Sequence, residues 1–67
     1  MSVARVTEIS SSSKNGFYDA IKTGIARASK TIRGIEGAWI KEQKVVVTEG
    51  TVSEYRVSMQ VTFVLED

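Results

Sequence analysis

The chain has no cysteine and no histidine. The first absence excludes disulfides, iron–sulfur clusters and thiolate zinc sites. The second removes the commonest transition-metal ligand and the usual general base near neutral pH. Neither sign of charge prevails: nine basic against eight acidic residues leave a formal net charge of +1. That balance does not suggest a nucleic-acid or membrane-surface protein held by bulk electrostatics. No apolar run approaches the roughly 20 residues needed to span a bilayer. Met1-Ser2-Val3-Ala4-Arg5 lacks the apolar core of a signal peptide, so a cytoplasmic protein is the expectation. Aromatic residues are scarce, and Trp39 is the only tryptophan.

What is present is one short domain of 67 residues. A chain of this size buries only about 60% of the surface its unfolded form exposes. With disulfides excluded, self-association is the expected source of added stability.

Val3 to Ile9 reads as a first strand, rich in Val, Thr and Ile. Ser10 to Gly16 reads as a loop of turn formers. A helix begins at Phe17, with Gly16 as N-cap and Asp19 in its first turn. Its apolar and small positions, Phe17, Ala20, Ile21, Gly24, Ile25, Ala28, Ile32 and Ile35, form one stripe at helical period. Gly24, Ala26 and Ala28 keep the helix slim for close packing, and Gly34 and Gly37 mark its stop. Two strands follow, Ala38 to Thr48 and Thr51 to Leu65, joined by a Glu49-Gly50 turn. In the last strand Tyr55, Val57, Met59, Val61, Phe63 and Leu65 share one face.

The fold expected is therefore α+β, in the order β-α-β-β, with the apolar face of the sheet on the helix stripe. The other sheet face stays open. A two-residue turn places Trp39 opposite Gln60 on that open face, and Gln43 opposite Arg56. Trp39 could anchor a core, pack in a subunit interface or stack a planar ligand. Arg56 could hold a phosphate or carboxylate, stack on a ring, or pair with Glu42, Glu49 or Glu54. Gln60 could hydrogen-bond a ligand edge or simply fill the polar face. The serine run has no base beside it, the glycines form no phosphate loop, and no catalytic constellation is present, so no enzyme is expected.

The whole chain resembles the dodecin family. Three strings carry the likeness: Val6-Thr7-Glu8-Ile9-Ser10, Ala26 through Arg33, and Tyr55 through Asp67. The resemblance implies a three-stranded antiparallel sheet around one helix and a homododecamer forming a hollow shell. It also implies flavins, such as FMN, FAD or riboflavin, bound in pairs at subunit interfaces. In that pattern a tryptophan opening the second strand stacks on the ring, and a glutamine after an aromatic on the third strand binds the ring edge. Those positions fall on Gly37 and Arg56 here, with Trp39 two residues beyond, about 6–7 Å along the strand. The strings around Glu42-Gln43 and Tyr55-Arg56-Val57 are similar to a branch that lacks the flavin tryptophan and includes a calcium-binding member. The candidate ligand-binding residues are thus Gly37, Trp39, Arg56 and Gln60, and the expected function is small-ligand storage. Trp39 then reads first as an interface residue bordering a reshaped pocket.

The alternatives are an assembly that binds calcium or another divalent cation, and a structural shell without a physiological ligand. Calcium needs six to eight oxygen ligands. Glu36, Glu42, Glu49, Glu54, Glu66 and Asp67 are scattered, so a site would need copies brought together at a symmetry axis.

Overall fold

The computed structural model describes residues 3–65. Its elements are β1 (Val3–Ser13), α1 (Phe17–Ala28), β2 (Ile35–Thr48) and β3 (Thr51–Leu65). They form one antiparallel sheet in the order β1-β3-β2. The last strand lies in the centre, which accounts for its regular alternation. It must bury one face along most of its length, while both its edges are paired.

The core is small. Val57, Met59 and Val61 of β3 are fully buried with Ala20 of α1. Ile9, Phe17, Ile21, Ile25, Ile35 and Ala38 pack around them. Each large side chain buried this way stabilises by about 1.5–3 kcal/mol. Phe17 and Tyr55 meet edge to face, with ring centroids 5.1 Å apart. Gly24 lets α1 approach β1: a Cβ there would lie 2.8 Å from Ser11 Cβ and 2.9 Å from Met59 Cε.

The sequence expectation differs from the structure at three boundaries. First, β1 runs through the serines to Ser13 instead of stopping at Ile9. Its ladder with β3 continues unbroken from Val3 opposite Leu65 to Ser13 opposite Tyr55. Pairing with the long central strand overrides the turn preference of serine. Ser13 then serves the helix entry, its Oγ donating to Asp19 at 2.6 Å and accepting from the Asn15 amide at 2.9 Å.

Second, α1 ends at Ala28, before Ile32 and Ile35. The Ser29 hydroxyl donates to the Ile25 carbonyl, and tighter turns follow at Lys30 and Thr31. Third, Ile35 begins β2 instead of completing the helix stripe, so β2 starts before Ala38. Gly34 makes the junction possible: its φ is +77°, and its carbonyl accepts from the Val64 amide at 3.1 Å.

Both turn residues of the β2–β3 hairpin, Glu49 and Gly50, have positive φ. This is the two-residue geometry that suits the twist of paired strands. The register shifts near Ser53 and shifts back near Lys41. The two irregularities cancel, so Trp39 does pair with Gln60. Between them the register is offset by one, which corrects the second pairing: Gln43 lies opposite Val57, and Lys44 lies opposite Arg56.

A helix of 12 residues is about 18 Å long, whereas the molecule extends 51 Å. The helix therefore covers only part of one sheet face. The radius of gyration is 13.8 Å, against about 10.9 Å for a compact chain of this length. The surface of 5132 Å² exceeds by about 900 Å² that of a typical monomer of this mass.

Candidate functional site

The open face of the sheet is built from cross-strand rows centred on even-numbered residues of β3. Thr62 lies between Val6 and Gly37, and Gln60 between Glu8 and Trp39. Ser58 lies between Ser10 and Glu42, and Arg56 between Ser12 and Lys44. Gly37 and Trp39 share this face, as the period of two requires.

Three of the four candidate residues come together. Gly37, Trp39 and Gln60 line one depression of about 460 Å³ with Val6, Ala38 and Thr62. Trp39 is 78% exposed in the single chain, so its ring is available to a ligand or a second subunit. An added Cβ at Gly37 would meet no atom within 4 Å. The strip beside the indole is therefore bare backbone, flanked by Val6 and Thr62. Gln60 supplies an amide with both donors and an acceptor at the centre of the face. An apolar ring wall, an open floor and one polar amide suit a flat, largely apolar molecule with a polar edge.

Arg56 is not part of this group. Four residues from Gln60 on the same strand, it stands roughly 13 Å away along the face. It lines a second depression of about 500 Å³ with Ser10, Ser12, Lys44 and Ser58. Its Nη2 reaches Glu54 Oε2 at 3.5 Å. The Ser12 hydroxyl bonded to Glu54 is the main cause that lowers this carboxyl's pKa below its ordinary value, and the Arg56 charge adds to it.

Between the depressions lies an ion pair that the sequence reading did not include. Lys41 Nζ sits 3.2 Å from Glu8 Oε1, joining β2 to β1 across β3. Both side chains are half exposed, so the pair contributes at most about 1 kcal/mol. These residues are 33 apart, and Lys41 falls at a register shift. No local pattern signals their meeting.

Among the described residues no three carboxylates cluster within one chain as a cation site would need. Glu66 and Asp67 lie outside the described residues. No helix among the described residues is long and apolar enough to cross a membrane.

Comparison with known proteins gives a consistent result. A family model described as Dodecin matches residues 3–66. A curated relative, the dodecin of Thermus thermophilus, is 35% identical over 65 residues, covering 97% of this chain and 94% of its own. The structure of an arginine-to-alanine variant of that dodecin superposes with a TM-score of 0.94 at 34% identity over all of both chains. The dodecin of Streptomyces davaonensis gives 0.94 at 32% identity, covering 98% of this chain and 97% of its own. A calcium dodecin of Mycobacterium tuberculosis gives 0.82 at 25% identity, covering 96% and 91%.

Proposed function

This chain belongs to the dodecin family, and on that premise we propose that it is a binding and storage protein for a planar ligand of the flavin type, working as a homododecamer. The observation that carries this reading is the exposed Trp39 ring beside the open backbone at Gly37, with the Gln60 amide at its edge. Stacking on an indole supplies area and orientation at little entropic cost, because the ring has only two rotatable bonds. Gln60 takes the role of reading the polar edge. Storage requires no covalent step; it proceeds by mass action over many equivalent sites.

Self-association is supported by the shape of the single chain. Val3, Val6, Tyr18, Trp39, Val47 and Leu65 are exposed, and the hairpin extends beyond the helix. Such surface on so small a core suits burial against further copies. In the assembly Trp39 serves both ends: it packs at a subunit contact and forms one wall of the ligand site there.

Two measurements test the reading. Light scattering gives a mass near twelve times the 7.4 kDa chain, and a monomer overturns the assembly. Titrating riboflavin or FMN with the protein quenches flavin fluorescence at micromolar protein, and unchanged fluorescence removes the flavin reading.

A second reading is supported by the likeness to a calcium dodecin. Single carboxylates from several copies, brought together at a symmetry axis, would then hold a divalent cation. Calorimetric titration of the chelator-treated protein with calcium separates the two readings: absent heats and an unmoved melting temperature dismiss the cation.

A further inference from the structure

We infer that Asn15 and Gly16 form a self-modifying site, at which the Gly16 main-chain nitrogen attacks the Asn15 carboxamide and releases ammonia. Asn15 is the only asparagine in the chain, and glycine follows it. The pair lies in the short loop between Ser13, which ends β1, and Phe17, which opens α1. Asn15 is exposed. Its main-chain amide donates to Ser13 Oγ at 2.9 Å, but among the described residues no hydrogen bond holds its carboxamide. Gly16 is the N-cap of α1, and its carbonyl accepts from the Ala20 amide at 3.1 Å. Its own N–H precedes the helical donors and has no partner among the described residues. Nothing lies within 4 Å of where a Gly16 Cβ would stand, so the nitrogen is open to attack from that side. The helix entry itself keeps it unshielded: φ at Gly16 is +141°, a conformation that glycine adopts and side-chain-bearing residues resist.

The step balances with water as the only co-reactant. Solvent hydroxide takes the Gly16 amide proton. The nitrogen bonds to Asn15 Cγ, the Cγ–Nδ2 bond breaks, and ammonia leaves with a proton from water. The product is a five-membered succinimide, which water opens at either carbonyl. One opening gives aspartate. The other gives isoaspartate, whose main chain runs through the side-chain carbon. Lys14, next in the chain, favours the attacking anion; Asp19, held by Ser13, and Glu54, which feels the Lys14 charge, oppose it. The two products act differently on α1. No side chain caps this helix, so an aspartate at its entry suits the positive end of the helix dipole. Isoaspartate instead adds one carbon to the main chain just before Gly16 and displaces the carbonyl that starts the helix. The turn it loosens carries Phe17, packed on Tyr55, and the fully buried Ala20.

The test ages the purified protein at neutral and mildly alkaline pH and follows its intact mass, which registers conversion of the single asparagine amide to an acid. A second sample is held unfolded in guanidinium at the same pH. The folded chain converts within about tenfold of the unfolded rate, a barrier difference of at most about 1.4 kcal/mol. Its rate rises with pH, and enzymatic carboxyl methylation finds isoaspartate in the product. Asn15→Gln keeps its mass over the same time, because glutamine must close a larger ring more slowly. A folded rate more than about tenfold below the unfolded one overturns the proposal. So does the same mass change in Asn15→Gln, a rate that ignores pH, or a product without isoaspartate. Thermal unfolding at fixed protomer concentration reads the effect on α1. The isoaspartate fraction melts about 5 °C or more below the wild type, whereas Asn15→Asp melts close to it. Equal melting of all three refutes the link to the helix start.

Discussion

Gly24→Ala sets two effects of opposite sign against each other. Alanine favours a helix interior over glycine by about 1 kcal/mol, so propensity alone predicts a more stable protein. The new methyl group, however, would lie 2.8 Å from Ser11 Cβ and 2.9 Å from Met59 Cε. Ordinary carbon contacts begin near 3.5 Å, so each must open by roughly 0.6–0.7 Å. The Met59 methyl group can swing aside, although Met59 is fully buried. Ser11 Cβ cannot, because its backbone is paired with Val57 within an unbroken ladder. The helix must therefore withdraw from the sheet. Overpacking of this kind costs about 1–3 kcal/mol, which offsets the helix gain of about 1 kcal/mol and leaves a net loss of up to about 2 kcal/mol. For a domain of this size that lowers the melting temperature by up to about 15 °C. Thermal unfolding must be followed at fixed protomer concentration, since association shifts apparent stability. Gly37→Ala is the control: nothing lies within 4 Å of its Cβ, so its melting temperature stays close to wild type. A Gly24→Ala variant that melts higher than wild type refutes the close packing of α1 on β1.

Two further predictions concern local conformation and charge. Gly34→Ala destabilises more than Gly50→Ala, although both have positive φ: an alanine at Gly34 also meets the Val64 carbonyl at 3.0 Å, whereas Gly50 faces open space. The left-handed conformation costs about 1–2 kcal/mol at either position, and equal losses in urea unfolding contradict the crowding at Gly34. The lowered pKa of Glu54 means that its carboxylate adds stability above its unfolded-state pKa, and that this is lost as pH falls through the folded value. Glu54→Gln therefore narrows the stability difference between neutral and acid pH, and an unchanged acid limb of the melting profile rules out this contribution.

Much of the fold could be read directly. The alternation of β3 identified the core face because a central strand must bury one side along its length. The start of α1 at Gly16 and Phe17 was visible in local chemistry. Its end was not, because Ile32 and Ile35 continue the helical period by coincidence while Gly34 is committed to the Val64 contact. The serines of β1 were illegible for a related reason: their strand conformation comes from β3, a partner more than 40 residues away.

The site divides along the same line. Gly37, Trp39 and Gln60 could be placed on one face from the period of two and the hairpin turn. That inference survived two register shifts because the shifts cancel. Gln43 lies between those shifts, so its partner is Val57 and not the Arg56 that an unshifted turn implies. The Lys41–Glu8 pair and the Lys44–Arg56 opposition depend on the shifted register, which no short-range pattern encodes.

The central claim is that Trp39 forms the wall of a ligand site, and it is tested most directly by one paired titration. FMN or riboflavin is titrated with wild-type protein and with Trp39→Ala, after scattering shows that both have the same mass. The account predicts quenching of flavin fluorescence by the wild type and an apparent affinity at least tenfold weaker in the variant, a loss of about 1.4 kcal/mol that is within reach of one aromatic stack. Equal quenching by both proteins contradicts it, and would leave the exposed tryptophan as a subunit contact alone.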